Sequence, residues 1–176
     1  LIQMFDDSSL WTDIGYEVES GELKDDCQVV LKRSKECSPE FLENHSPIED
    51  LIKFKEFKNK IEQANWIADE IEKNLREDEL EHKDIMVIHT DPLKTRDETG
   101  ILRSTLLKKG ISSHLAGVTT SPDEFFQDNS ITITSIFRAK GNEASMVYVM
   151  DGQNCGTNYS SLKSRNILFT AMTRSK

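Results

Sequence analysis

The chain has 176 residues, 36% of them hydrophobic and 30% charged, with a formal net charge of −9. That size suits one domain with a real core, and the composition is that of a well-solvated globular surface. No apolar run reaches the ~18–20 residues that span a bilayer and no signal-peptide pattern opens the sequence, so no membrane partner is expected. Cys27, Cys37 and Cys155 form no CxxC pair, and His45, His82, His89 and His114 fall in no HxxxH or CxxH spacing. Disulfide frameworks and metal sites are therefore not expected, and a reducing cytoplasmic setting is. The acidic balance argues against nucleic acid, but its distribution weakens that argument. Residues 131–176 hold Arg138, Lys140, Lys163, Arg165, Arg174 and Lys176 against only Glu143 and Asp151, so the acid surplus lies upstream.

Residues 1–50 read as an elaboration of irregular character. Ile14–Val18 and Gln28–Lys32 suit two strands of an antiparallel hairpin, with Ser20-Gly21 and Asp25-Asp26 as turn signals between them. Phe5, Trp11 and Tyr16 are its packing residues, with base stacking as the functional alternative, and Ser38-Pro39 and Ser46-Pro47 mark loops.

A more regular domain is expected over 51–176. Leu51–Phe57 alternates like a half-buried strand. Asn59 can cap a helix whose inward positions are Ile61, Ala64, Ile67, Ala68, Ile71 and Leu75. Asp84–His89 is a short apolar run of the buried parallel type. A helix over Asp97–Lys109 should turn Ile101, Leu102, Thr105 and Leu106 inward and end at Gly110, with Lys108 and Lys109 answering its dipole. Strands follow at Ser113–Ala116, Ile131–Thr134 and Met146–Met150, and a helix runs through Ile167–Met172. This alternation predicts an α/β fold on a mostly parallel sheet. Ligands of such sheets sit beyond the carboxyl ends of the strands, where Ser135, Lys140 and Glu143 are expected to converge.

Two segments carry the chemistry. The first is Ser135-Ile-Phe137-Arg138-Ala-Lys140-Gly141-Asn-Glu143, and the second is Leu168-Phe-Thr-Ala171-Met-Thr173-Arg174. Together they resemble motifs V and VI of superfamily I (UvrD/Rep-like) helicases, in the C-terminal, second RecA-like domain. The family pattern is Thr-x-His followed by Lys-Gly-x-Glu, then an apolar helix ending Ala-x-Thr-Arg. A weaker likeness upstream extends the resemblance over about residues 57–176. It implies that Glu143 contacts a nucleotide ribose, that Gly141 and Lys140 belong to the nucleotide lip, and that Arg174 meets the γ-phosphate of ATP bound with Mg2+. A planar guanidinium suits the charge that grows on a transferring phosphoryl group. A helix-end arginine that answers the dipole is the plain alternative. Ser135 and Arg138 are the expected nucleic-acid contacts, Arg138 compensating for Phe137, which stands where the family has histidine.

No glycine precedes a lysine, so a Walker A loop is not present in the sequence, and Gly152 stands where Val147–Asp151 would need a second Walker B acid. The resemblance places both elements on a preceding RecA-like domain, so the chain reads as a piece of a longer motor with its final strand cut short. The implied function is the second motor domain of an ATP-dependent helicase or translocase acting on single-stranded DNA, RNA not excluded, with the first RecA-like domain as its partner. The alternative is a non-catalytic nucleotide- or nucleic-acid-binding module that kept the fold. An ordinary nucleotide-binding α/β enzyme is disfavoured by the want of a nucleophile–base constellation.

Overall fold

The computed structural model describes residues 9–24, 26–37, 51–119, 121, 124–155 and 162–175. The chain divides into two compact units, Leu1–Phe54 and Lys55–Lys176. In the first, helix α1 (Ser9–Asp13) leads into antiparallel strands β1 (Tyr16–Gly21) and β2 (Val29–Arg33), with a register shift between Val18 and Ser20. The first strand starts at Tyr16 rather than Ile14 because Gly15 turns the chain at φ +90. Gly21 (φ +83) belongs to the strand, and a Cβ there would fall 2.0 Å from the Gln28 carbonyl oxygen. Trp11 packs edge-on against Tyr16 at 5.6 Å between centroids. Phe5, Asp25, Ser38-Pro39 and Ser46-Pro47 lie outside the described residues.

Leu51–Phe57 is not a strand. Leu51, Ile52 and Phe54 are exposed, and no strand among the described residues pairs with them. Alternation identifies two faces of a segment but does not supply a sheet edge to receive it. Phe57 packs instead on Trp66, 5.5 Å between centroids. Helix α2 (Lys60–Arg76) starts where Asn59, in extended conformation, accepts from the Glu62 amide at 2.9 Å. The Glu62 carboxylate in turn accepts from the Lys58 amide at 2.9 Å, so both ends of the first turn are tied. Ala64, Ile67, Ala68 and Ile71 are buried, but Ile61 is exposed, one turn ahead of where the helix meets the sheet.

The second unit is an α/β sandwich around a four-stranded parallel sheet. Strands β3 (Ile85–His89), β4 (Ser113–Leu115), β5 (Ile131–Ser135) and β6 (Met146–Met150) lie in the order β4-β5-β3-β6. This is the α/β architecture expected of a RecA-like domain. Every residue of β3 is buried, because it lies inside the sheet with both faces covered. Ile85, Val87, Ile131, Ile133, Tyr148 and Met150 face α2 and helix α4 (Gly100–Lys108), while Met86 and Ile88 face the opposite layer with Ile136, Ala139, Ile167 and Ala171.

The helix expected over Asp97–Lys109 is two pieces, α3 (Thr95–Glu98) and α4, joined at buried Thr99. Thr99 Oγ1 donates to the Thr95 carbonyl and Thr95 Oγ1 to the Asp91 carbonyl, and such back-bonding competes with the regular ladder. Ile101 is exposed, while Leu102 and Leu106 carry the packing. Gly110 (φ +76) ends α4 as expected. Its amide donates to Leu107 and that of Ile111 to Leu106, the paired bonds of a Schellman turn. Helix α5 (Ile136–Ala139) follows β5, and helix α6 (Leu162–Met172) closes the unit, starting five residues ahead of the expected Ile167.

Candidate functional site

The six singled-out residues divide between two edges of the sheet. Ser135 is the last residue of β5 and stands half-buried at the carboxyl edge. From there α5 and the Lys140–Glu143 loop carry the chain back, because the next parallel strand must start at the opposite edge. Glu143 therefore precedes the amino end of β6, and Ser135 and Glu143 do not face a common ligand beyond the carboxyl ends. The expected convergence of Ser135, Lys140 and Glu143 is corrected on this point.

At the amino edge the two motif segments meet. The Ala144 amide donates to the Arg174 carbonyl at 3.0 Å, and Ala144 and Ser175 form a parallel bridge. The Ser175 hydroxyl adds a longer bond to the Ser145 carbonyl at 3.4 Å. Glu143 and Arg174 thus stand beside each other along paired backbone, although 31 positions separate them in the sequence. Glu143, Lys140 and Gly141 are exposed. Gly141 takes φ +88 with nothing within 4 Å of a would-be Cβ, so its role is to reverse the loop and not to admit a close neighbour.

Arg174 is half-buried and partly committed. Its Nε donates to the Thr170 carbonyl at 3.1 Å and Nη2 to the Thr173 hydroxyl at 3.2 Å. The first bond answers an orphan carbonyl of the α6 C-terminus, so the plain helix-end role is real. It also fixes the guanidinium plane, while Nη1 has no partner among the described residues. One arginine can cap its helix and present the remaining fork outward.

Arg138 is turned inward. A Cβ built on Gly117 would fall 2.1 Å from Arg138 Cζ, so the guanidinium lies flat on the turn that follows β4. Gly117 takes φ +68 and Thr119 ties the same turn by accepting from the Leu115 amide at 2.9 Å. Phe137, in contrast, is 62% exposed.

One pair at the carboxyl edge escaped the sequence reading. His89 Nε2 lies 3.1 Å from Asp151 Oδ2, with both side chains buried. Gln153 Nε2 donates to the other carboxylate oxygen at 3.0 Å, and the Thr90 hydroxyl donates to the Asp151 carbonyl at 2.9 Å. His89 Nδ1 is 2.8 Å from the Asp91 carbonyl. The pair ties together the loops that leave β3 and β6, with Asp151 in the left-handed region at φ +55, which aspartate tolerates better than most residues. The available signal was a histidine and an aspartate, each at the end of an apolar run. Their pairing follows from the adjacency of β3 and β6, which local sequence does not encode.

Residues 130–176 match the profile of the UvrD-like helicase C-terminal domain. The matched stretch runs from the residue before β5 past α6 and contains both motif segments, so this part of the chain is similar to a UvrD-like helicase C-terminal domain. The weaker upstream likeness, over 57–129, lies outside it. No curated protein sequence matches the chain.

Proposed function

We propose that the chain supplies the second motor domain of an ATP-dependent superfamily I helicase or translocase, working in the cytoplasm on single-stranded DNA. The Ala144–Arg174 backbone bond is the observation that carries this reading, because it joins the segment that bears Glu143 to the segment that bears Arg174. The residues fit a nucleotide clamped against a first RecA-like domain. Glu143 is exposed and free to accept from a ribose hydroxyl, Lys140 is exposed for phosphate, and Arg174 keeps Nη1 for the γ-phosphate. ATP would bring Mg2+ with it, and the chain's own contribution is orientation and charge. Ser135, at the other edge, is the nucleic-acid contact in this reading, and Arg138 acts there by holding the β4 turn.

The two edges are then linked by a short rigid path. Ile136 and Ala139 of α5 pack with Ile167 and Ala171 of α6, so movement of the Arg174 end on ATP binding or hydrolysis reaches Ser135 through packed side chains. The test is Arg174→Ala in the full-length protein. Nucleic-acid-stimulated ATPase should fall by about 10³ or more in kcat, with ATP binding kept within a few-fold. Near-normal kcat would return Arg174 to its helix-capping role alone. Full-length wild type that binds ATP yet never turns it over would favour the non-catalytic module, the reading to which exposed Phe137 points.

A further inference from the structure

Arg103 is an arginine without a carboxylate partner among the described residues. Its Nε is buried with no hydrogen-bond partner, and its side chain enters no ion pair among the described residues. The chain carries 31 Asp and Glu against 22 Lys and Arg, so an unclaimed guanidinium runs against its composition. Lys109, six positions on, takes two carboxylates, Asp69 and Glu72, each at 2.7 Å. A buried donor left unmade costs free energy, more so on a charged group, and calls for a partner.

The side chain lines a cleft of about 400 Å³ shared with Ser104, Leu107, Ile111, Ser112 and Ser113. None of the three serine hydroxyls has a hydrogen bond among the described residues. Ser112 and Ser113 are fixed by backbone: Ser112 accepts from the Ile131 amide at 2.9 Å, and Ser113 opens β4 in register with Ile131. Ile111 is the buried apolar floor. A guanidinium fork with three hydroxyls around an apolar floor offers donors in several directions. That suits a tetrahedral oxyanion better than a flat carboxylate. The negative end of the α4 dipole opposes an anion here, but the Schellman turn satisfies its last carbonyls and Lys108 offsets part of the charge.

We propose that this cleft binds a phosphoryl group. It lies at the amino end of β4, three strands from the Ala144–Arg174 pair and so roughly 14 Å across the sheet, and stands independently of the nucleotide site. A free phosphate compound and a nucleic-acid backbone would present the same chemistry.

The test is a titration of the 176-residue chain followed by 15N-correlated NMR of arginine Nε–H and backbone amides, with ionic strength held by chloride. Inorganic phosphate should give a saturable shift of the Arg103 Nε–H, assigned by its loss in Arg103→Lys, and of the Ser112 and Ser113 amides. Ser112→Ala should weaken binding about tenfold, as expected for one hydrogen bond to a charged group, and it decides the matter should Arg103→Lys not fold. An oligo-dT without a terminal phosphate that shifts the same signals at lower concentration assigns the site to backbone phosphate. Response to phosphate alone assigns it to a small phosphoryl ligand. No saturable shift, or an equal shift with acetate, overturns the proposal.

Discussion

Tyr148→Phe isolates one buried hydrogen bond. The Tyr148 hydroxyl donates to Asn74 Oδ1, joining β6 to α2, and Asn74 Nδ2 donates to Asp78 at 2.8 Å. Tyr148 and Asn74 are both buried, 9% and 4% exposed. Phenylalanine keeps the ring and its edge contact with Trp66 at 6.2 Å, so only the hydroxyl is lost. An amide oxygen is then left in the core without its donor, which costs about 1–3 kcal/mol. For a chain of this size the middle of that range lowers Tm by roughly 4–8 °C. Urea unfolding followed by circular dichroism should show a lower midpoint at unchanged m. Combined with Asn74→Ala, the loss should be less than the sum of the two single losses, because the second change removes what the first left unpaired. The alkaline limb gives a second readout. Burial, aided by Glu70 and Asp78, raises the phenol pKa well above its ordinary value of 10.0. The folded state thus keeps a proton that the unfolded state loses, and stability falls as pH rises past about 10. Tyr148→Phe should flatten that limb, though lysines with raised pKa keep part of it. A stability change under ~0.3 kcal/mol, or strict additivity with Asn74→Ala, would refute the shared bond.

Four further outcomes can be checked. Glu72 is held below the usual carboxylate range by the Lys109 hydrogen bond, so its contribution is present above pH 4.5 and is lost as pH falls through the depressed value. Lys109→Met should therefore shallow the acid limb of a stability-against-pH curve, and an unchanged limb would discount the pair. Leu102→Ala, at a fully buried position on the inner face of α4, should cost about 2–5 kcal/mol in chemical denaturation. The 176-residue chain by itself should release no phosphate from ATP above background, and robust turnover would overturn the split-site reading. In the full-length protein Glu143→Gln should raise KM for ATP with little change in kcat, because a ribose contact exists in ground and transition states alike. A collapse of kcat at constant KM would make Glu143 catalytic.

What the sequence makes legible is what local physics dictates. Ile85–Ile88 and Ile131–Ile133 read as buried strands because a parallel sheet covered on both faces tolerates little else. Asn59 and Gly110 announce helix ends because each solves a backbone problem at its own position. Leu51–Phe57 misleads for the complementary reason: its alternation is genuine, but strand formation needs a partner edge supplied from elsewhere. The break at Thr99 is equally hidden, since threonine back-bonding depends on a burial that residue identities do not give.

The placement of Glu143 shows the limit most clearly. Its motif is recognisable residue by residue, yet a rule that assigns ligands to the carboxyl edge puts it on the wrong side of the sheet. The strand order settles the matter: β5 and β6 run parallel with β3 between them, so everything after α5 must return to the amino edge. The same return brings Ala144 to Arg174, which no helical or strand periodicity foretells. On the proposed reading this geometry serves the motor. A nucleotide lip at one edge and a nucleic-acid contact at the other, nine residues apart from Ser135 to Glu143 when both are counted, would make a short mechanical link between hydrolysis and grip. Ala139→Gly in the full-length protein should therefore loosen that link, lowering nucleic-acid stimulation of the ATPase more than the basal rate. Equal loss of both rates would show that α5 supports the fold without transmitting anything.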